Sequence, residues 1–326
     1  MLMSPPRWIP SGLLGVREFP ATAAGYADLL GWLGGFGTVA LAGAEGTGSY
    51  GAGLTRHLAA AGIRVVEVDR ADRQDRRRAG KSGPLDAVSA ARAAQSGRAA
   101  GAPEGRDGTV EAIRALMVAK RSARNERTQA ISQARSLILI GPDDLRARFA
   151  RHPAAALAEA IAALRPRPGD AAEYAARVAL RELGRRVECP GGQLERLEEL
   201  IVPLVTARAP GLLALPGIGP DTAALLLVAA GDHPERLRSE AAWAHLCRVA
   251  PIPASSGKVR RHRLNPRRQP RGQSCPVADR HHPDELAPGY RAYVARRTRE
   301  GLSKKEVIRC LKRYVAREVY RHLHAG

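Results

Sequence analysis

The sequence predicts an α/β unit near the N-terminus and a mostly helical remainder. Two Val-rich segments, GTVALAG (37–43) and IRVVEVD (63–69), are bounded by Gly or Asp, which is typical of buried strands. Between them, YGAGLTRHLAAAG (50–62) is rich in helix formers and stops at Gly62. Beyond residue 109, apolar residues recur at the spacing of amphipathic helices. We therefore expect a β-α-β unit with parallel strands, followed by helices.

Apolar periodicity also predicts how the rest of the chain is organised. Helices are expected over 85–95, 109–139, 154–164, 170–186, 193–206 and 238–247, with a helical hairpin over 212–231 and an irregular basic loop over 251–288. Pro190-Gly191-Gly192 is expected to break the chain before the helix at 193. A final helix starts at Ser303, where Ser303 and Glu306 match a capping box. The predicted domains are 1–140, 141–206 (the helical connector) and 207–326.

Two apolar stripes are expected to be buried. The final helix carries one formed by Val307, Leu311, Val315 and Val319. The helix at 193–206 carries another formed by Leu194, Leu197, Leu200, Ile201 and Leu204. This second stripe is typical of either a dimerising coiled coil or core packing within a monomer.

The charge of the chain narrows the class of partner. There are 52 Lys and Arg against 32 Asp and Glu, for a net charge of +20, which attracts polyanions such as nucleic acid or an anionic membrane. The chain has no run of about 20 apolar residues, and its first residues lack the pattern of a signal peptide. We therefore expect a cytoplasmic protein that binds nucleic acid and not a membrane. The four cysteines are scattered singly, so we expect them to be reduced and structural.

The excess positive charge is concentrated near the C-terminus. Residues 207–326 hold 23 Lys and Arg against 10 Asp and Glu, so this region is expected to face DNA. The alternative is a GC-rich genome that favours Arg and Ala codons.

The segment LPGIGPDTAALLLVAAG (215–231) is the strongest local motif. Gly217 and Gly219 permit a tight turn before an apolar helix, which is typical of a helix-hairpin-helix. Backbone N–H groups at the start of the second helix bind a DNA phosphate without reading sequence. The alternative is an ordinary helical hairpin with Gly in its turn.

The segment PIPASSGKVRRHRL (251–264) combines hydroxyls with cations. Ser255 and Ser256 precede a flexible Gly257, and four basic residues follow, namely Lys258, Arg260, Arg261 and Arg263. A serine that attacks a phosphodiester needs such cations to stabilise the developing negative charge. The alternative is a loop that only contacts phosphate or is solvated.

Two carboxylates form a third candidate site. Glu45 ends the first strand. Asp86 lies within KSGPLDA (81–87), where the next helix is expected to begin. If they converge at the edge of the sheet, they can bind a divalent metal ion for phosphoryl transfer. The alternatives are helix capping by Asp86 and a solvated Glu45.

Taken in order, these segments resemble a known family. EGTGSY, KSGPLDA, the helical connector, LPGIGPDTAA, ASSGKVRRHRLN and YVARRTREGLSKKEVIRCLKRYVAREVY are together similar to the insertion-sequence one-ten family of transposases, also called bridge recombinases. The resemblance implies a RuvC-like (RNase H-like) N-terminal domain with four acidic residues that bind Mg²⁺, and a C-terminal domain with a catalytic serine. It also implies DNA and a structured guide RNA as partners, and a homo-oligomer.

Carried over by position, the resemblance assigns Glu45 to the second acidic position and Asp86 to the fourth. Ser256 matches the nucleophile, with Ser255 as the fallback. Gly83 occupies the third acidic position, and the chain joins the family pattern only near VREFPATAAGYADLL, after the strand that carries the first. We therefore expect a RuvC-like domain truncated at its first strand, weakened Mg²⁺ binding and a degenerate copy that still binds nucleic acid.

Two other functions fit parts of the sequence. A non-catalytic nucleic-acid-binding protein would use the hairpin and the basic loop without any cleavage. A Holliday-junction nuclease would share the RuvC-like domain but leave the serine segment without a role.

Overall fold

A computed structural model of the chain describes residues 2–3, 12–47, 50–68, 83–99, 101–103, 105, 108–166, 168–232, 237–250, 252–253, 262–263 and 288–323. The chain forms two compact units. The first comprises Met1–Gly108 with Gly231–Arg238, and the second comprises Thr109–Ala230 with Ser239–Gly326. Most of the described residues are helical, and the first unit holds a small sheet.

The first unit contains β1 (Leu2–Met3), α1 (Ala23–Gly34), β2 (Val39–Glu45), α2 (Ala52–Ala60), β3 (Arg64–Val68) and α3 (Gly83–Gln95). The strand order is β1-β2-β3. The β2 and β3 strands are parallel, in a register that runs from Leu41 opposite Arg64 to Glu45 opposite Val68. The expected β-α-β unit is therefore confirmed. The short β1 pairs antiparallel with β2, with Leu2 opposite Leu41.

Each face of this sheet packs against a different helix. On one face, Ala42 and Ala44 of β2 are buried with Val65 of β3, Leu58 of α2 and Ile63, because alternate strand residues point to the same side. This cluster is the hydrophobic core between the sheet and α2.

On the other face, α3 lies very close to β2 at Gly43. A Cβ atom built on Gly43 would lie 2.5 Å from the carbonyl oxygen of Ala90 and 3.0 Å from the Cβ of Ala94. Ala90 and Ala94 are both buried, so small residues line both sides of this contact. Only glycine at position 43 permits this approach of the helix backbone to the strand.

The second unit contains α4 (Thr109–Ile140), α5 (Asp143–Phe149), α6 (Ala154–Ala162), α7 (Ala171–Arg208), α8 (Pro210–Leu213) and α9 (Pro220–Ala230). It continues with α10 (Glu240–Leu246), β4 (Ile252–Pro253), β5 (His262–Arg263), α11 (Pro288–Arg299) and α12 (Lys304–Leu323). The two long helices α4 and α7 pack against each other, and α5 and α6 contribute Leu145, Phe149, Leu157 and Ile161 to the core that these helices share.

The predicted break at Pro190-Gly191-Gly192 is wrong, because α7 is one continuous helix from Ala171 to Arg208. A proline inside a helix removes one hydrogen bond and costs about 3 kcal/mol. The core-facing residues on both sides of Pro190 offset this cost, since Leu180, Val187, Ile201 and Val205 are all buried. Burial of a large aliphatic side chain contributes roughly 1.5–3 kcal/mol, so tertiary packing outweighs the local preference.

The predicted apolar stripes have mixed outcomes. The stripe on α12 is confirmed, since Val307, Leu311, Val315 and Val319 are buried. The capping box is also confirmed, because the backbone N–H of Ser303 donates to the Glu306 carboxylate at 2.9 Å and the Glu306 N–H donates to Ser303 Oγ at 3.4 Å. On the α7 stripe, Ile201 is buried but Leu200 is 56% exposed. This is contrary to core packing of the whole stripe within a monomer, and the coiled-coil alternative stays a prediction.

Two cysteines can be compared with the prediction. Cys247 and Cys310 are free thiols, as expected, whereas Cys275 and the side chain of Cys189 lie outside the described residues. Within the helices that the structure describes, none combines the length and apolar character needed to cross a membrane.

We predict that Gly43→Ala destabilises the first unit by roughly 1–3 kcal/mol, because the added methyl group forces α3 away from β2. Equilibrium urea unfolding followed by tryptophan fluorescence measures this change. Gly31→Ala is the matched control, since Gly31 is exposed in α1 and a Cβ atom there meets no atom within 4 Å. That control is expected to leave stability unchanged or raise it by up to about 1 kcal/mol. Equal stability of Gly43→Ala and the wild type would contradict the packing described above.

Candidate functional site

Glu45 is the last residue of β2 and is half-buried. Gly46 follows it with a φ of 68°, a left-handed conformation that glycine adopts without strain, and the chain then turns toward α2. Successive strand residues alternate between faces, so Glu45 lies on the same face of β2 as Gly43. That face is the one covered by α3.

Asp86 lies in the first turn of α3 and is also half-buried. Residues four apart share one face of a helix, so Asp86 lies on the face of Ala90, whose carbonyl oxygen is the atom nearest to Gly43. Glu45 and Asp86 therefore lie on the same side of the sheet, on the two surfaces that meet at the β2–α3 contact. Both residues have interaction partners.

A third carboxylate near this strand, Glu67, was not predicted from the sequence. Glu67 lies on β3 opposite Ala44, so alternation places it on the α2 side of the sheet, away from Glu45. The hydroxyl of Thr47, which is 1% exposed, donates a hydrogen bond to the Glu67 carboxylate. This bond ties the turn after β2 to the neighbouring strand. The signal in the sequence was an acidic residue inside a Val-rich strand.

The described residues do not supply a full set of metal ligands. Gly83, at the third acidic position of the family pattern, is the first residue of α3, and a Cβ atom there would meet open space. In the described ranges, no group of three or more His, Cys, Asp or Glu residues could hold a metal ion. Mg²⁺ takes six oxygen ligands, and a protein usually supplies one or two carboxylates while water and substrate phosphates supply the rest. Glu45 and Asp86 alone would therefore hold Mg²⁺ only together with water and a bound phosphate.

The predicted hairpin joins α8 to α9. Gly217 has a φ of 78°, so this position requires glycine, whereas Gly219 does not have a positive φ and has open space around it. Ile218 between them is buried, which anchors the turn to the core of the second unit. Pro220 begins α9 and suits this position, because the first N–H group of a helix has no partner within the helix. DNA binding by this hairpin stays a prediction.

A buried ion-pair network holds the start of α9 in place. Lys120 of α4 is 3% exposed, and its Nζ lies 2.6 Å from Asp221 Oδ1 and 3.0 Å from Glu198 Oε2. Arg124 Nη2 lies 2.6 Å from the other oxygen of Asp221. This network joins α4, α7 and α9. The sequence did not reveal it, because these partners are about a hundred residues apart and a lysine in a long helix is usually exposed.

The charge state of this network follows from its geometry. Burial of the Asp221 carboxyl would by itself raise its pKa, but the hydrogen bonds and charges of Lys120 and Arg124 outweigh burial. The pKa of Asp221 therefore lies below its usual range, and its carboxylate is ionised at neutral pH. Lys120 is buried, whereas the side chains of Asp221, Arg124 and Glu198 are 25%, 50% and 58% exposed, so the network is partly solvated. Its contacts join the start of α9 to the two long helices.

The serine segment lies mostly outside the described residues. This holds for Ser255, Ser256, Lys258, Arg260 and Arg261, so their predicted roles stay predictions. The strands on either side are described, and β4 pairs antiparallel with β5, with Pro253 opposite His262 and Ile252 opposite Arg263.

Comparison with known proteins gives two matches. A family model for the DEDD transposase domain, described as "Transposase", matches residues 12–140, which include Glu45 and Asp86. A second model, described as "Transposase IS116/IS110/IS902 family", matches residues 209–275, which include the hairpin and the serine segment. No curated protein matches the chain.

Both matches name one kind of enzyme, and their order along the chain is the order of the motifs. Transposases of the DEDD class generally use a divalent metal ion, and a transposase acts on DNA. The N-terminal match is consistent with a RuvC-like fold, to which the small parallel sheet conforms. The chain belongs to the IS110 family of insertion-sequence transposases.

Proposed function

We propose that this protein cuts and rejoins DNA strands through Ser256, with Glu45 and Asp86 as the remaining acidic residues of a weakened metal site. The observation that supports this most directly is the position of the two carboxylates on the surfaces that meet at the β2–α3 contact. The second is the basic segment that follows Ser256, in the part of the chain that matches a transposase model.

In the proposed reaction, the Ser256 hydroxyl oxygen forms a bond to the phosphorus of a DNA phosphodiester. The serine hydroxyl gives up its proton, the bond between that phosphorus and one sugar oxygen breaks, and the sugar oxygen takes up a proton and leaves as a hydroxyl. Attack by the hydroxyl of another strand reverses these steps and releases the serine. Lys258, Arg260, Arg261 and Arg263 would bind the negative charge that develops on the phosphate.

Nucleic-acid binding is proposed for two further features. The backbone N–H groups after Gly217 and Gly219 would contact a DNA phosphate without reading its sequence. The net charge of +20 suits a second polyanion as well, and the family resemblance implies a structured guide RNA. A homo-oligomer is proposed on the same resemblance.

We further propose that this copy is impaired, because Gly83 stands where the family pattern has an acidic residue. An acidic residue can be restored at position 83 as a test, because a Cβ atom there meets no atom within 4 Å. Gly83→Asp is expected to raise the yield of recombination product at least about 10-fold, the lower end of the effect of groups that support a metal site. The measurement is quantitative amplification of the new DNA junction from a supercoiled element and its target.

The control for this restoration is Gly83→Asn, which has nearly the same shape as Asp but no charge. An aspartate in the first turn of a helix also stabilises that helix, so thermal unfolding of both variants is measured alongside. Added Mg²⁺ should raise the unfolding temperature of Gly83→Asp more than that of Gly83→Asn. Equal yields and equal responses to Mg²⁺ would contradict the assignment of position 83.

The nucleophile is tested in both the wild-type and the Gly83→Asp chains. Ser256→Ala is expected to lower the junction product to the level without protein, because no other group then forms the bond to phosphorus. Ser255→Ala is the matched neighbour and is expected to keep most of the product. Loss of product with Ser255→Ala alone would move the nucleophile to that residue.

The alternative functions give different results in the same assay. Salt-sensitive DNA binding by all variants, with no product in either background, would overturn the proposal in favour of a non-catalytic nucleic-acid-binding protein. Cleavage of a four-way junction that persists in Ser256→Ala would instead indicate a junction nuclease.

A further inference from the structure

The last two helices carry a cluster of tyrosines. Tyr314 of α12 packs edge-on against Tyr290 of α11 at 5.7 Å between ring centroids, and it stacks on Tyr293 at 6.3 Å with an interplanar angle of 25°. The Arg296 guanidinium lies 5.4 Å from the centroid of the Tyr293 ring. These residues lie C-terminal to residues 209–275, so neither family match assigns them a role.

The three tyrosines differ in how they face solvent. Tyr290 is 9% exposed and its hydroxyl donates to the Glu318 carboxylate, so it joins α11 to α12. Burial and the nearby Glu318 raise the pKa of Tyr290 well above its usual range, so it stays protonated. Tyr314, in contrast, is 43% exposed. An aromatic ring that is supported by a stacked neighbour and open to solvent is a surface on which another flat ring can stack.

Positive charge surrounds the exposed tyrosine. Residues 288–323 hold eleven Lys and Arg against three Glu. Arg317 and Arg321 follow Tyr314 by three and seven residues, so they share its face of α12, and both are exposed. Arg296 is 63% exposed beside Tyr293.

The nearest acidic partner on the neighbouring helix does not neutralise this charge. Glu240 of α10 forms ion pairs with two arginines: its Oε1 lies 2.7 Å from Arg313 Nη2 and 2.9 Å from Arg317 Nε. The hydrogen bond from Arg317 holds the pKa of Glu240 below its usual range, and the charges of Arg313, Arg317 and Arg321 act in the same direction, whereas burial opposes them. One carboxylate therefore faces three guanidinium groups, which leaves excess positive charge at the edge of the tyrosine stack.

We propose that Tyr293, Tyr314, Arg296, Arg317 and Arg321, here called the tyrosine–arginine surface, bind an unpaired DNA strand. A base would stack on Tyr314 while the flanking phosphates contact the arginines, which is how proteins bind single strands without sequence preference. The inference rests on the proposed function, because cutting and rejoining strands between two duplexes leaves segments unpaired. Within a duplex the base faces stack on one another, so only the two terminal base pairs offer Tyr314 a face on which to stack.

The test compares two tyrosines of matched exposure. Tyr174 of α7 is 44% exposed and Tyr314 is 43% exposed. Fluorescence anisotropy gives the Kd of the full chain for a labelled oligothymidine and for a blunt DNA duplex of the same length. Tyr314→Ala is expected to weaken oligothymidine binding roughly 5- to 100-fold, the effect of losing one base–aromatic stack. Tyr174→Ala should leave it unchanged, and Tyr314→Phe should keep most of the affinity.

A second pair of variants tests the arginines without altering the tyrosine stack. Arg321→Gln is expected to lower the slope of log Kd against log salt for oligothymidine by about 0.7, the value for one phosphate contact with a single strand. Arg135→Gln removes one exposed positive charge from α4 and is the matched control. These measurements stay informative even if Tyr314→Ala reduces folding, which circular dichroism checks.

Several outcomes separate this inference from the proposed function. Unchanged oligothymidine affinity in Tyr314→Ala and Arg321→Gln would overturn the tyrosine–arginine surface, while intact duplex binding and recombination would leave the proposed function standing. An equal loss of duplex and single-strand affinity in Tyr314→Ala would also overturn it, because a general electrostatic surface explains that result. Dependence on Tyr314 that appears only with an oligouridine RNA would overturn the assignment to DNA.

Discussion

The close contact between α3 and β2 at Gly43 is the constraint on which the candidate site depends. With a Cβ atom at position 43 only 2.5 Å from the Ala90 carbonyl oxygen, no other residue allows the helix backbone to lie so near the strand. Glu45 lies two residues after Gly43 on β2, and Asp86 lies about one helical turn before Ala90 on α3. The same contact that packs this face of the sheet therefore puts both carboxylates on its α3 side.

The second unit depends on a different feature, which is the packing of its two long helices. Two long helices, α4 and α7, share a core at one end and the Lys120 network near α9. Lys120 itself is buried, and its ion pair with Asp221 attaches the start of α9 to α4. The exposed Tyr314 lies on α12, whose apolar stripe is buried.

Local sequence patterns predicted the local structure well. The Val-rich strands, the helix between them and the capping box at Ser303 each depend on neighbouring residues, so the sequence contains their full signal. Gly43 was different: β2 ends at Glu45 as predicted, but nothing near Gly43 in the sequence indicated that a distant helix packs against it. Pro190 does not break α7 for a similar reason, because packing against α4 is not part of the local sequence signal.

The Lys120 partners and the tyrosine stack between α11 and α12 depend on contacts across the fold. Position-by-position resemblance, and not composition, singled out Ser256 and Gly83.

The central claim is that Glu45 and Asp86 approach each other across the β2–α3 contact. Cysteine cross-linking tests it most directly, in a chain whose four native cysteines are replaced by serine. A short bismaleimide should join the cysteines of the Glu45→Cys/Asp86→Cys variant rapidly. The same reagent should not join those of Glu45→Cys/Arg92→Cys, because Arg92 lies on the exposed face of α3. Equal cross-linking rates for the two pairs, or a faster rate with Arg92→Cys, would contradict the account.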